Sequence, residues 1–140
     1  MINKTIAIFG VFDGIHDGHL FFIREAKKQG NRLVAIVARD EVVKGLKGKL
    51  PKNNEVERIN ALLKVGDVDL VLLGDPELET YNTLKEVSPS VVYLGYDQKA
   101  LFDNINKMMK KGNLPKMEVV KGEPYEPEIF HSSILNKEGK

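Results

Sequence analysis

Gly10-Val11-Phe12-Asp13-Gly14-Ile15-His16-Asp17-Gly18-His19 separates two stretches of opposite character. Before it lies Thr5 to Phe9, a continuous apolar run of strand length. After it, Leu20, Ile23 and Ala26 recur on one helical face, and Gly30 marks a stop, so a helix is expected from Gly18 to about Gln29. Strand, glycine-bearing turn and amphipathic helix thus follow one another directly.

The alternation continues along the chain. Further apolar runs stand at Leu33 to Ala38, Leu70 to Leu73, Val91 to Leu94 and Met117 to Val120. Most are too continuous for strands with one wet face, and the intervals between them are long enough for crossover helices. Helices are expected over Glu55 to Val65, with Val56, Ile59, Leu62 and Leu63 as the apolar face, then Thr80 to Val87 before Pro89, and Gln98 to Lys111 before Gly112. Glu123 to Pro127 reads as an extended loop, after which Ser132 or Ser133 caps a last short helix. The expectation is an α/β fold, a Rossmann-like three-layer sandwich on a mainly parallel five-stranded sheet, with residues 1–140 as one domain. Its ligand site should lie beyond the carboxyl ends of the strands, where strand order reverses.

Composition narrows the function classes. The 140 residues carry 21 basic and 20 acidic side chains, a formal charge of +1, so no global field would hold nucleic acid or an anionic membrane. Affinity for phosphate has to be local. With no cysteine there is no disulfide, thiolate metal site or thiol nucleophile. The first apolar run meets a glycine too soon for a signal sequence or membrane span, so a cytoplasmic protein is expected.

His16 and His19 are three residues apart at the opening of the first helix, and their rings can face one volume. Free amides and the helix dipole favour a phosphate there, and two imidazoles add donors that strengthen as charge gathers in a transition state. Gly10 and Gly18 allow backbone to approach a ligand closely. A histidine pair also suits zinc, but His131 is the one other histidine and no carboxylates can be placed beside them from the sequence. Histidines that merely cap or pack are the plainer alternative. Phe12 is expected to pack under the loop, and Asp13 either fixes the loop by accepting amides or meets the ligand.

At these residues the chain resembles the cytidylyltransferase-like nucleotidyltransferases, marked by glycine, a variable residue, Phe-Asp, two variable residues and His-x-Gly-His; every fixed position is present. The resemblance implies transfer of a nucleoside monophosphate from a triphosphate to a phosphorylated acceptor, with pyrophosphate leaving and Mg2+ or another divalent cation accompanying the nucleotide. It implies a phosphate-reaching lysine in Lys44-Gly45-Leu46-Lys47-Gly48-Lys49-Leu50-Pro51-Lys52, otherwise a mobile basic loop; Lys44 is the first choice and Lys47 the second. It also implies that Arg58 faces phosphate, where the helix period alone makes it a polar-face residue. Gly95 and Asp97 would lie near base or ribose, with Asp97 alternatively an N-cap. Phe130-His131-Ser132-Ser133 resembles the family's late Ser/Thr-rich phosphate-binding signature.

Two positions depart from the family pattern. Val11 stands where many relatives carry a small polar residue, and Asn136 followed by Lys137 where a basic residue is common. Within the family, Val37-Ala38-Arg39-Asp40-Glu41, Leu94-Gly95-Tyr96-Asp97-Gln98 and Phe130-His131-Ser132-Ser133 look most like archaeal-type FAD synthases, which are similar to glycerol-3-phosphate cytidylyltransferases. ATP with FMN is therefore the leading substrate pair, CTP with glycerol 3-phosphate the second, and a non-catalytic nucleotide- or flavin-binding module the reading from another class. A homodimer is compatible with the resemblance. The resulting assignment gives His16, His19 and Lys44 to catalysis. It gives Gly10, Val11, Phe12, Gly18, Arg58, Gly95, Asp97, His131, Ser132 and Ser133 to the nucleotide, and Asp13, Lys47, Tyr96 and Gln98 to acceptor or phosphate contacts.

Overall fold

The apolar runs become the strands of one sheet, the central ones buried and the two edge strands partly open to water. The structure, a computed structural model, describes residues 3–125. It contains β1 (Thr5–Gly10), β2 (Arg32–Val37), β3 (Leu70–Leu73), β4 (Val91–Leu94) and β5 (Glu118–Lys121), in the order β3-β2-β1-β4-β5. Every pairing is parallel, as the buried strands require. Side-chain alternation splits the core into two layers. Ile6, Ile8, Leu33, Ala35 and Val37 face one cluster, which Ile23, Ala26 and Leu62 cover. Ala7, Ile36, Val92 and Leu94 face the other, covered by Leu84 and Ile105.

The covering residues come from α1 (Asp17–Lys27) and α3 (Glu55–Leu63) on the first face, and α4 (Asn82–Val87) and α5 (Lys99–Lys110) on the second. The three-layer Rossmann-like architecture on a mainly parallel five-stranded sheet expected from the sequence is present, and the sheet is parallel throughout. Chain order runs outward from β1 through β2 to β3, then returns to β4 on the other side of β1. Consecutive connections therefore leave β1 and β4 in opposite directions, opening a crevice at their carboxyl ends.

Two expectations need correction. Lys44 to Lys47 are not loop: they end α2 (Asp40–Lys47). Asp40 and Glu41 in its first turn and Lys44 and Lys47 in its last complement the helix dipole, buried Val43 anchors it, and Gly48 closes it at φ 79°. The phase of α3 also differs. Val56 and Leu63 are 62% and 56% exposed, while Arg58 is 1% exposed beside buried Leu62. A guanidinium occupies a core-facing position assigned by hydropathy to the surface. The helix expected at Ser132 or Ser133 lies outside the described residues.

No helix among the described residues is long and apolar enough to cross a membrane.

Candidate active site

The loop after β1 is shaped by two glycines that make room for rings. A Cβ on Gly10 would lie 2.7 Å from the Phe12 ring, and one on Gly18 would lie 2.9 Å from Cε1 of His16. Phe12 adopts a left-handed φ of 53° and is buried, so the chain folds sharply enough for the ring to pack beneath the loop. His16 is extended, at φ −135° and ψ −179°, and caps α1.

The histidines do cap the helix, and the manner of capping determines what else they can do. The amide of Gly18 donates to His16 Nδ1 at 3.1 Å, and the amide of His16 donates to His19 Nδ1 at 3.2 Å. With both Nδ1 atoms accepting, the proton of each neutral ring resides on Nε2. The cap bonds of known geometry thus fall on Nδ1 of each ring and not on Nε2. The ring centroids are 3.9 Å apart, too close for two imidazolium ions to be favoured. Burial, together with the neighbouring His16, holds His19 below its ordinary value against the opposing pull of the Gly14 carbonyl and Asp97. The capping box also directs the His19 amide to the His16 ring, so of the amides in the first turn that of Asp17 alone has no protein acceptor among the described residues.

Polar ties, most of them partly buried, hold this loop. Asp13 accepts from the amides of Lys52 and Asn53 at 2.8 and 2.9 Å and from Asn53 Nδ2 at 3.0 Å. Burial works to raise its pKa, but these donors outweigh it and leave the carboxyl below its ordinary value. Arg58 donates to the Val11 carbonyl at 2.9 Å, to the Asn53 carbonyl at 3.1 Å and to Asp40 Oδ1 at 2.6 Å. Asp40 and Glu55 exchange amide-to-carboxylate bonds at 2.8 and 3.2 Å, locking the start of α2 to the start of α3. Arg58 is therefore neither a polar-face residue nor, in this arrangement, a group lining a cavity: its guanidinium is a strut under the loop.

On the other side of the crevice, Gln98 joins the two diverging strands. Its Oε1 accepts from the Gly95 amide at 2.8 Å, and its Nε2 donates to the Phe9 carbonyl at 3.0 Å. The N-cap of α5 is Gln98, without a side-chain cap bond, so Asp97 is not the cap. Asp97 instead folds back over Gly95, where a Cβ would lie 2.9 Å from its Oδ1.

Two cavities meet at this crevice. The first, about 580 Å³, is bordered by the histidines, Asp13, Gly18, Tyr96 and an aromatic wall of Phe21, Phe22 and Tyr125. The second, about 670 Å³, is walled by apolar side chains including Ile36, Leu46, Leu84 and Leu101. Phe9, Gly10, Val11, Lys47, Asp97 and Gln98 border both. Lys47 is thus at the junction, whereas Lys44, one turn back, borders neither cavity. Tyr125 and Phe21 were not foreseen, nor were Asp75, Tyr81 and Asn104 of the second cavity. For Asp75 a signal existed, since Gly74-Asp75 follows a strand's carboxyl end. His131, Ser132 and Ser133 lie outside the described residues.

Comparison with known proteins gives a consistent result. The family model described as Cytidylyltransferase-like matches residues 7–138. An FAD synthase of Thermoplasma acidophilum is 36% identical over 129 residues, covering 91% of this chain and 88% of its own. An FAD synthase of Thermococcus sibiricus is 37% identical over 105 residues, covering 75% and 71%. Among solved structures, a lipopolysaccharide core biosynthesis protein of Thermoplasma volcanium superimposes with a TM-score of 0.79 at 32% identity, over 88% of this chain and 98% of its own.

Proposed function

The chain belongs to the cytidylyltransferase-like family, and within it we propose that it is a nucleotidyltransferase that joins AMP from ATP to FMN, forming FAD and releasing pyrophosphate. The similarity to FAD synthases over most of both chains supports the substrate pair. The observation that carries the reading is geometric: two cavities of ligand size open on either side of the turn after β1 and share Gly10 and Val11 of it.

ATP occupies the first cavity, with its phosphates at the amino end of α1 and the Nε2–H groups of His16 and His19. FMN occupies the second, its phosphate beside Lys47. An FMN phosphate oxygen attacks the α-phosphorus; that P–O bond forms as the bond to the β-phosphate bridging oxygen breaks, and the electron pair leaves with pyrophosphate. No side chain becomes covalently attached. The protein contributes alignment of two bound reactants and fixed donors where charge increases. Lys47, at the junction, offsets the repulsion between two anionic reactants.

A divalent cation accompanies the triphosphate in this reading. Among the described residues no group of three or more histidine, cysteine, aspartate or glutamate side chains gathers to hold one; bound with the triphosphate, the cation would offset its charge.

The volume and apolar walls of the second cavity favour a ring-bearing acceptor over glycerol 3-phosphate. The test is to incubate the protein with ATP or CTP against FMN or glycerol 3-phosphate, following pyrophosphate and product. FAD formed from ATP and FMN is expected. Turnover confined to CTP and glycerol 3-phosphate, or ligand binding with no pyrophosphate from any pair, overturns the proposal.

A further inference from the structure

The segment between β3 and α4 is bent against its own backbone preferences. Glu79 and Tyr81 both take left-handed φ values, 61° and 57°, without being glycine. One carboxylate holds the bend. Asp75 accepts from the hydroxyl of Thr80, from the amides of Asn82 and Thr83 at 2.5 and 2.8 Å, and from the hydroxyl of Thr83 at 2.7 Å. Burial opposes ionisation of Asp75, but these donors prevail and bring its pKa down to about 2, so the clamp is closed at neutral pH.

The bend turns Tyr81 inward, to 8% exposure, where its hydroxyl donates to Asn104 Oδ1 of α5 at 2.5 Å. Both residues border the second cavity and not the first. Among the described residues, Nδ2 of Asn104 has no partner, and the Tyr81 oxygen keeps an unused lone pair. Turning the amide over exchanges these roles but still leaves one donor beside one acceptor. Burial and the nearby Glu79 push the Tyr81 hydroxyl up to about 12, which keeps it protonated.

A donor next to an acceptor, set among Leu84, Leu101 and Ile36, matches a ring edge that presents a carbonyl next to an N–H. We propose that Tyr81 and Asn104 are specificity-determining residues that read the imide edge of the acceptor's planar ring, with Asp75 as the positioning residue that turns Tyr81 toward it. This rests on the assignment of FMN to the second cavity. Ligands that bury the pair without satisfying it are rejected, because the site's own polar atoms are then stranded.

The test compares FMN with its N3-methyl analogue, whose imide N–H is blocked, as acceptors at saturating ATP with the full chain. The wild type should lose about tenfold in kcat/KM on methylation, mainly through KM. Asn104→Ala should raise the FMN KM by about tenfold, leave the ATP KM near wild type, and abolish the discrimination against the analogue; Tyr81→Phe should act in the same direction. Equal use of both acceptors by the wild type overturns the proposal, as does an unchanged FMN KM in both variants. If a variant fails to fold, the analogue comparison on the wild type decides alone. Absence of any FAD from the wild type would instead defeat the FMN assignment itself, and this role with it.

Discussion

Arg58→Leu removes every donor of the buried guanidinium while keeping an aliphatic stem. Three acceptors lose their partner: Asp40 Oδ1 at 2.6 Å and the carbonyls of Val11 and Asn53 at 2.9 and 3.1 Å. Each orphaned carbonyl costs about 1 kcal/mol or more. The Asp40 carboxylate loses its countercharge, but its side chain is 24% exposed and recovers part of its hydration, so its share is about 1–3 kcal/mol. The sum, about 3–5 kcal/mol, is a large part of the stability usual for a domain, about 5–15 kcal/mol. With a urea slope of about 1–3 kcal/mol per molar, the unfolding midpoint should fall by roughly 2 M. Equilibrium urea unfolding of wild type and variant measures this. A loss under about 1 kcal/mol would refute the strut; full stability combined with a large rise in the triphosphate KM would place the guanidinium on the ligand instead.

His16→Ala and His19→Ala should each lower kcat by about 10²–10³, the cost of one preorganised donor, and near wild-type turnover would remove that ring from the mechanism. Lys47→Ala should slow chemistry and raise the triphosphate KM while Lys44→Ala changes both much less; the reverse order in steady-state kinetics would contradict the junction placement. Asp75 has a folded-state pKa of about 2 against an ordinary 3.8. Its stabilisation is therefore complete above about pH 4 and lost as pH falls toward 2, about 1–2 kcal/mol after allowance for solvent contact. Urea unfolding should lose that increment of acid sensitivity in Asp75→Asn, and an unchanged pH profile would show that the carboxylate holds nothing.

The strands were legible because a buried parallel strand has no polar face to interrupt its apolar run, as Val91 to Leu94 shows. The loop holding His16 and His19 was legible because its glycines and histidines are contiguous. Helix α2 was harder to see: Gly45 and the neighbouring lysines read as loop, and the paired charge bias of Asp40–Glu41 against Lys44–Lys47 was the available signal. The phase of α3 was misread because hydropathy assigns arginine outward, whereas Arg58 is buried by partners from α2, the first loop and residue 53 that no helical period reveals. The second cavity was illegible for the same reason at larger scale. Ile36, Tyr81 and Asn104 come from β2, the approach to α4 and α5, and they converge only once the sheet order is set.

The central claim is that both Nε2–H groups meet the phosphates at the amino end of α1. A crystal structure with FMN and an ATP analogue that cannot be cleaved between its α- and β-phosphates tests it directly. The account predicts phosphate oxygens within hydrogen-bond distance of Nε2 of His16 and of His19, with the FMN phosphate beside Lys47. Phosphates seated away from that helix end, or imidazoles whose Nε2 atoms turn from them, would contradict it.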